Sequence, residues 1–112
     1  MLSDGERDAL EDIGDNVARA MRFVDGLDLD GFLADDKTFY AATRCLEIIS
    51  EASRRLSSAF KERFPEIPWK DVAASGSIYR HSYESVQERR IWETIHEAPP
   101  TLRAVVDAEL RK

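Results

Sequence analysis

Cysteine occurs once in this chain of 112 residues, at Cys45, so no disulfide can close within it. That fits a reducing compartment, and a cytoplasmic location is expected. Histidine occurs only at positions 81 and 96, and nothing in the chain has the spacing of a metal site. No metal and no cofactor are therefore expected. No apolar run approaches the roughly 20 residues that span a bilayer. The opening Met-Leu-Ser-Asp-Gly-Glu-Arg-Asp is acidic and has no apolar signal core, so no membrane association is expected. Basic residues are in the minority, 16 against 22 acidic, leaving a net charge of -6. Such a chain does not hold nucleic acid by general phosphate neutralisation, although a local site stays open. Internal repeats, low-complexity tracts and long linkers are missing, so residues 1–112 read as one domain. Period-two alternation between turn signals is missing too, which argues against a sheet.

What is present is helical periodicity. Leu10, Ile13, Val17, Met21 and Val24 recur at three- and four-residue steps and predict a first amphipathic helix over about 5–25. Gly26 and the segment 27–35 break it, with room for a short helical turn near 30–34. Asp35 or Asp36 is placed to cap a second, longer helix with the core stripe Phe39, Leu46, Ile49, Ala52, Leu56, Phe60 and Phe64. Pro65 and Pro68 bound the turn that stops it. A third helix is expected over about 69–82, weakened by Gly76. Ser85 followed by Glu88 has the capping-box pattern and should start a fourth, running to about Ala98. Pro99-Pro100 interrupts, and Leu102, Val105, Val106 and Leu110 mark a fifth. The fold expected is all-α, an up-and-down helical bundle of two long antiparallel helices with shorter C-terminal ones. A chain this short buries a modest core, so pairing with a second copy is an economical way to remove more surface from water.

The chemistry is concentrated in Gly76-Ser-Ile-Tyr-Arg-His-Ser-Tyr-Glu-Ser-Val86, which brings Arg80, His81 and Tyr83 together. Histidine can move a proton at a phosphodiester while arginine holds its charge. Each residue also has a plainer role. Arg80 and Glu84 at i,i+4 can pair on a helix surface, and Tyr79 and Tyr83 at the same spacing can pack together. Gly76 suits a close helix crossing. Arg80, His81, Arg89 and Arg90 make the segment locally basic, diluted by Glu84, Glu88 and Glu93, which also describes a solvated helix face. His96 reads as a helix-end surface residue, and Trp69 and Trp92 as hydrophobic anchors.

From Gly26 to Leu110 the chain resembles the HepT branch of the HEPN proteins. The resemblance rests on Phe32-Leu-Ala-Asp-Asp-Lys-Thr38, Leu46-Glu-Ile-Ile-Ser-Glu-Ala-Ser-Arg-Arg-Leu56 and Phe64-Pro-Glu-Ile-Pro-Trp-Lys-Asp71. His81-Ser-Tyr83, Ile91-Trp-Glu93 and Pro99-Pro100 follow in the same order. It implies an all-helical homodimer whose active members are metal-independent ribonucleases with an arginine four to six residues before a histidine. These act as toxins in type VII (MNT–HEPN) toxin–antitoxin pairs, in which an MNT-type nucleotidyltransferase is the partner. By this resemblance His81 is the motif histidine. Tyr83 is the tyrosine that the partner modifies with AMP, and Glu51 is an acidic position on the long helix near the site.

The departure is at the arginine. Gly76 and Ser77 stand where the family has arginine followed by asparagine, and Arg80 lies directly before His81. Adjacent helical residues point about 100° apart, so Arg80 does not simply replace the missing side chain. Three functions stay open: an RNase using His81 with Arg80 as its cation, a non-catalytic subunit that binds an MNT nucleotidyltransferase, and a helical dimeric binding protein.

Overall fold

Ser3 starts the first helix. Its Oγ accepts from the backbone N–H of Glu6 at 3.1 Å, and the Glu6 carboxylate accepts from the Ser3 N–H in return. This reciprocal cap satisfies two donors that the first turn leaves without partners. The computed structural model describes residues 2–75, 84–97 and 99–112, and these hold seven helices and no strand.

Helix α1 runs Asp4–Val24 and buries Leu10, Ile13, Val17 and Val24 on one face. Gly26 ends it at φ +80°, a left-handed conformation that favours glycine. The short helix α2, Leu29–Leu33, is capped by Asp28 and drives Phe32 into the core, where it meets the rings of Phe39 and Trp92. Asp35 then caps α3, Asp36–Arg54, through the N–H of Thr38 at 3.1 Å. The expected cap and start of the long helix are thus found.

Its expected end is not. The single helix predicted to reach Phe64 is two. Helix α3 stops at Arg54, and Ser57 caps a separate helix α4, Ser58–Glu62, by accepting from the Phe60 N–H at 3.0 Å. Ser57 also donates to Glu6 at 2.8 Å, tying this corner to the start of α1. These bonds from Ser57, with those of Ser3, hold the Glu6 carboxyl below its ordinary range. Arg55 meets Asp12 at 2.6 Å. The end of α3 therefore lies beside the beginning of α1, and the two long helices pack antiparallel, as expected.

Helix α5, Trp69–Ser75, packs on α3. Helix α6, Glu84–Glu97, buries Ile91 and Ile95 at i,i+4 and rests against α2. Ser85 does not act as its N-cap. Glu84 is already helical, so Ser85 lies inside the helix, where its backbone cannot take the extended cap conformation. Helix α7, Pro99–Leu110, carries Pro99 and Pro100 in its first turn, where no intrahelical N–H bond is lost. It buries Leu102 and Val106 against α1. A Cβ added at Gly14 would stand 3.1 Å from Val106 Cγ1, so the glycine lets these helices approach. The core is one connected cluster contributed by all seven helices. Among the described residues no helix is long and apolar enough to cross a membrane.

Candidate functional site

Helix α5 leads directly into the segment that carries Arg80, His81 and Tyr83. Those three residues, with Gly76 and Tyr79, lie outside the described residues. Trp69 fixes its start. The indole Nε1 donates to the carbonyls of Lys61 and Phe64 at 3.2 and 3.1 Å, and the ring packs edge-on to Phe60. The expected anchoring role of Trp69 therefore includes two hydrogen bonds, which hold the Pro65–Pro68 turn closed.

Helix α3 holds the last described turn. At α5, Ser75 Oγ donates to the Val72 carbonyl at 2.7 Å. The Ala73 carbonyl receives two donors from α3: the Ser50 hydroxyl and Arg54 Nη2, the latter at 2.7 Å. Ser53, fully buried, donates to the Ser50 carbonyl at 2.7 Å and completes a small polar seam inside an apolar helix face. The last described turn before Gly76 is thus held by side chains of the long helix.

Glu51 sits on α3 next to Ser50 and is exposed. At about 100° per residue it points to one side of the seam, whereas Glu47 and Arg54 lie within roughly 60° of Ser50. Arg54, which sequence reasoning passed over, is a cation bonded to the last described turn of α5. Only its i+4 spacing from Ser50 hinted at it.

A cleft of about 590 Å³ is lined by α5 together with residues of α1, α3, α6 and α7. Its floor is apolar, from Val17, Leu46, Ile49 and Val72, and its wall includes Ser75. Among the described residues, Glu66, Asp71, Glu97 and Arg90 are the charged groups that line it. Among the described lining residues, three carboxylates stand against one guanidinium, which disfavours a phosphate there.

Other groups have structural employment. Cys45 is buried, and burial pushes its thiol up, against the pull of Arg19, Arg22 and Arg44. A buried thiol kept protonated is not a nucleophile. His96 is exposed, donates from Nδ1 to the Trp92 carbonyl at 2.7 Å, and lies against the Trp92 ring, as expected of a helix-end histidine. Trp92 in turn packs on Phe32, so its anchoring role holds as well. Among the described residues no three His, Cys, Asp or Glu side chains gather in a way that could hold a metal ion.

Comparison with known proteins adds the class of chemistry. The ribonuclease HepT-like family matches over residues 13–109. A Thermococcus cleftensis protein named "Probable ribonuclease HepT" is 38% identical over 106 residues, covering 95% of this chain and 96% of that one. A Methanocaldococcus jannaschii protein with a provisional RNase name is 32% identical over 98 residues, 88% of this chain and 90% of that one. Another such protein, from Caldanaerobacter subterraneus subsp. tengcongensis, is 37% identical over 89 residues, 80% of each chain. No solved structure gives a significant match. With an all-helical fold, an antiparallel pair of long helices and a family match across most of its length, this chain belongs to the ribonuclease HepT-like family.

Proposed function

We propose that the protein is a metal-independent endoribonuclease, the toxin of a type VII (MNT–HEPN) toxin–antitoxin pair, acting in the cytoplasm as a homodimer. The observation that carries this reading is the near full-length similarity to a protein named as a ribonuclease. In the reaction, the RNA 2′-oxygen forms a bond to phosphorus and the bond from phosphorus to the 5′-oxygen breaks. His81 takes the proton from the 2′-OH and, as the imidazolium so formed, returns it to the departing 5′-oxygen, leaving a 2′,3′-cyclic phosphate. Arg80 faces the charge that builds on the phosphoryl oxygens, and Glu51 orients the neighbouring groups.

A second copy would complete the site from the α3 surface. Tyr40 is 59% exposed and shares that side of α3 with Glu47 and Glu51, a face that a partner can cover. Two-fold pairing is the commonest oligomeric arrangement. An MNT-type nucleotidyltransferase is the heterologous partner, adding AMP at Tyr83. A second reading, a non-catalytic subunit that binds that enzyme, is favoured by glycine at position 76.

Cleavage of single-stranded RNA by the purified chain, compared with His81→Ala in the presence and absence of chelator, tests the reading. The expected result is a loss of roughly 100-fold or more in the variant, the scale of a general acid–base group, and no effect of chelator. Equal cleavage by both proteins would remove His81 from the mechanism. No cleavage by either would leave the non-catalytic subunit.

A further inference from the structure

Beside the start of α1 lies a second cavity, of about 510 Å³, lined among the described residues by Leu2, Arg7, Arg63, Glu109 and Lys112. It shares no described lining residue with the cleft along α5. Three cationic side chains stand there against one carboxylate side chain, in a chain whose net charge is -6. The balance of charge is therefore reversed at this corner, where the first turns of α1 meet the end of α4 and the end of α7.

The carboxylate arranges the cations without cancelling them. Glu109 is buried, with Oε1 at 2.8 Å from Arg63 Nη1 and Oε2 at 2.7 Å from Lys112 Nζ. The two cations nevertheless keep 49% and 66% of their side chains in solvent. Arg63 is fixed further by the rings of Phe60 and Phe64, over which its guanidinium lies at 5.7 and 5.1 Å. Guanidinium has five donors and ammonium three, so one bond to Glu109 leaves each head most of its capacity. Arg7, part-buried, makes no ion pair among the described residues. Cationic donors held around a concavity are what an anion needs. No aromatic side chain lines the cavity among the described residues, so the site suits a phosphate and not a base.

We propose that this cavity is a phosphate-binding site whose ligand is a backbone phosphate of the RNA strand, held by Arg7 together with Arg63 and Lys112. The proposal rests on the ribonuclease reading above and gives the substrate a further point of attachment. No bond is made or broken there. The contact adds affinity and fixes the position of the strand, and it carries no sequence preference.

Arg7 is the residue to change, because its loss leaves the contacts of Glu109 with Arg63 and Lys112 in place. Arg7→Gln removes the charge and Arg7→Lys keeps it; thermal melts establish that both variants fold. Binding to a single-stranded RNA oligonucleotide is measured across a salt series in full chains that also carry His81→Ala, and cleavage in full chains that retain His81. The expected result is that Arg7→Gln reduces the slope of log affinity against log salt by about 0.7, the contribution of one phosphate contact on a single strand. Its KM should rise several-fold at unchanged kcat, and Arg7→Lys should restore both. A wild-type slope in Arg7→Gln would overturn the site, and so would a fall in kcat at unchanged KM. A rise in Tm with inorganic phosphate or AMP that Arg7→Gln abolishes, with RNA binding unaltered, would overturn RNA as the source of the phosphate. RNA binding without cleavage by the wild-type chain would overturn the ribonuclease reading alone, since the salt slope still decides the site. Absence of RNA binding by the wild-type chain would overturn both.

Discussion

Arg63 Nη1 lies 2.8 Å from Oε1 of Glu109, a carboxylate with only 4% of its side chain exposed. Lys112 holds the other oxygen at 2.7 Å. The guanidinium of Arg63 also lies over the rings of Phe60 and Phe64. One buried acid therefore joins the end of α7 to the corner after α4. Lys112 first and Arg63 next hold the Glu109 carboxyl below its ordinary value of 4.5, against the opposing effect of burial.

The first prediction concerns acid stability. Because the folded value lies below the unfolded one, the contribution of Glu109 is complete above about pH 4.5 and is lost as pH falls through the folded value. Glu109→Gln should cost about 1–2 kcal/mol at pH 7, since two charge-assisted bonds are weakened and both cations stay partly solvated. The difference from wild type should shrink toward pH 3. Urea denaturation of both proteins at the two pH values checks this, and an equal difference at both would contradict it.

The second prediction concerns the α4–α5 corner. Trp69→Phe keeps an aromatic ring against Phe60 but removes the donor to the Lys61 and Phe64 carbonyls. The expected cost is about 1 kcal/mol, the usual net worth of such bonds. That corresponds to a fall of roughly 4 °C in Tm for a domain of this size. An unchanged Tm would show that water replaces the indole without loss.

The third prediction concerns silencing. Co-expression with a cognate MNT nucleotidyltransferase should add the mass of one AMP to the chain, and Tyr83→Phe should abolish the addition. The phosphate and bulk of AMP would oppose an RNA phosphate at Arg80 and His81 by repulsion and by occupancy. Intact-mass spectrometry reads the result directly. A mass increase that survives Tyr83→Phe would assign the modification elsewhere.

Much of the fold was legible because helices declare themselves locally. The three- and four-residue spacing of Leu10, Ile13 and Val17 identifies the buried face of α1 without knowledge of what covers it. Asp35 marks the start of α3 through a bond that closes within three residues. The break at Arg54–Ser57 was not legible, since Leu56 and Phe60 continue the apolar rhythm across it. Its deciding contact, Ser57 with Glu6, joins residues far apart in sequence. Ser85 misled for a related reason. A capping pattern is a local preference, and the helix that Glu84 already belongs to overrides it.

The site divides the same way. Sequence by itself determined the all-helical class, the residue types able to move a proton at a phosphodiester, and the glycine at position 76, because these are properties of residue identity and spacing. Tertiary structure decided that Ser50 and Arg54 converge on the Ala73 carbonyl and that Arg90 stands among carboxylates. The reason is geometric. Spacing along a helix fixes which residues share a face, but only the packing of α5 on α3 fixes what that face meets.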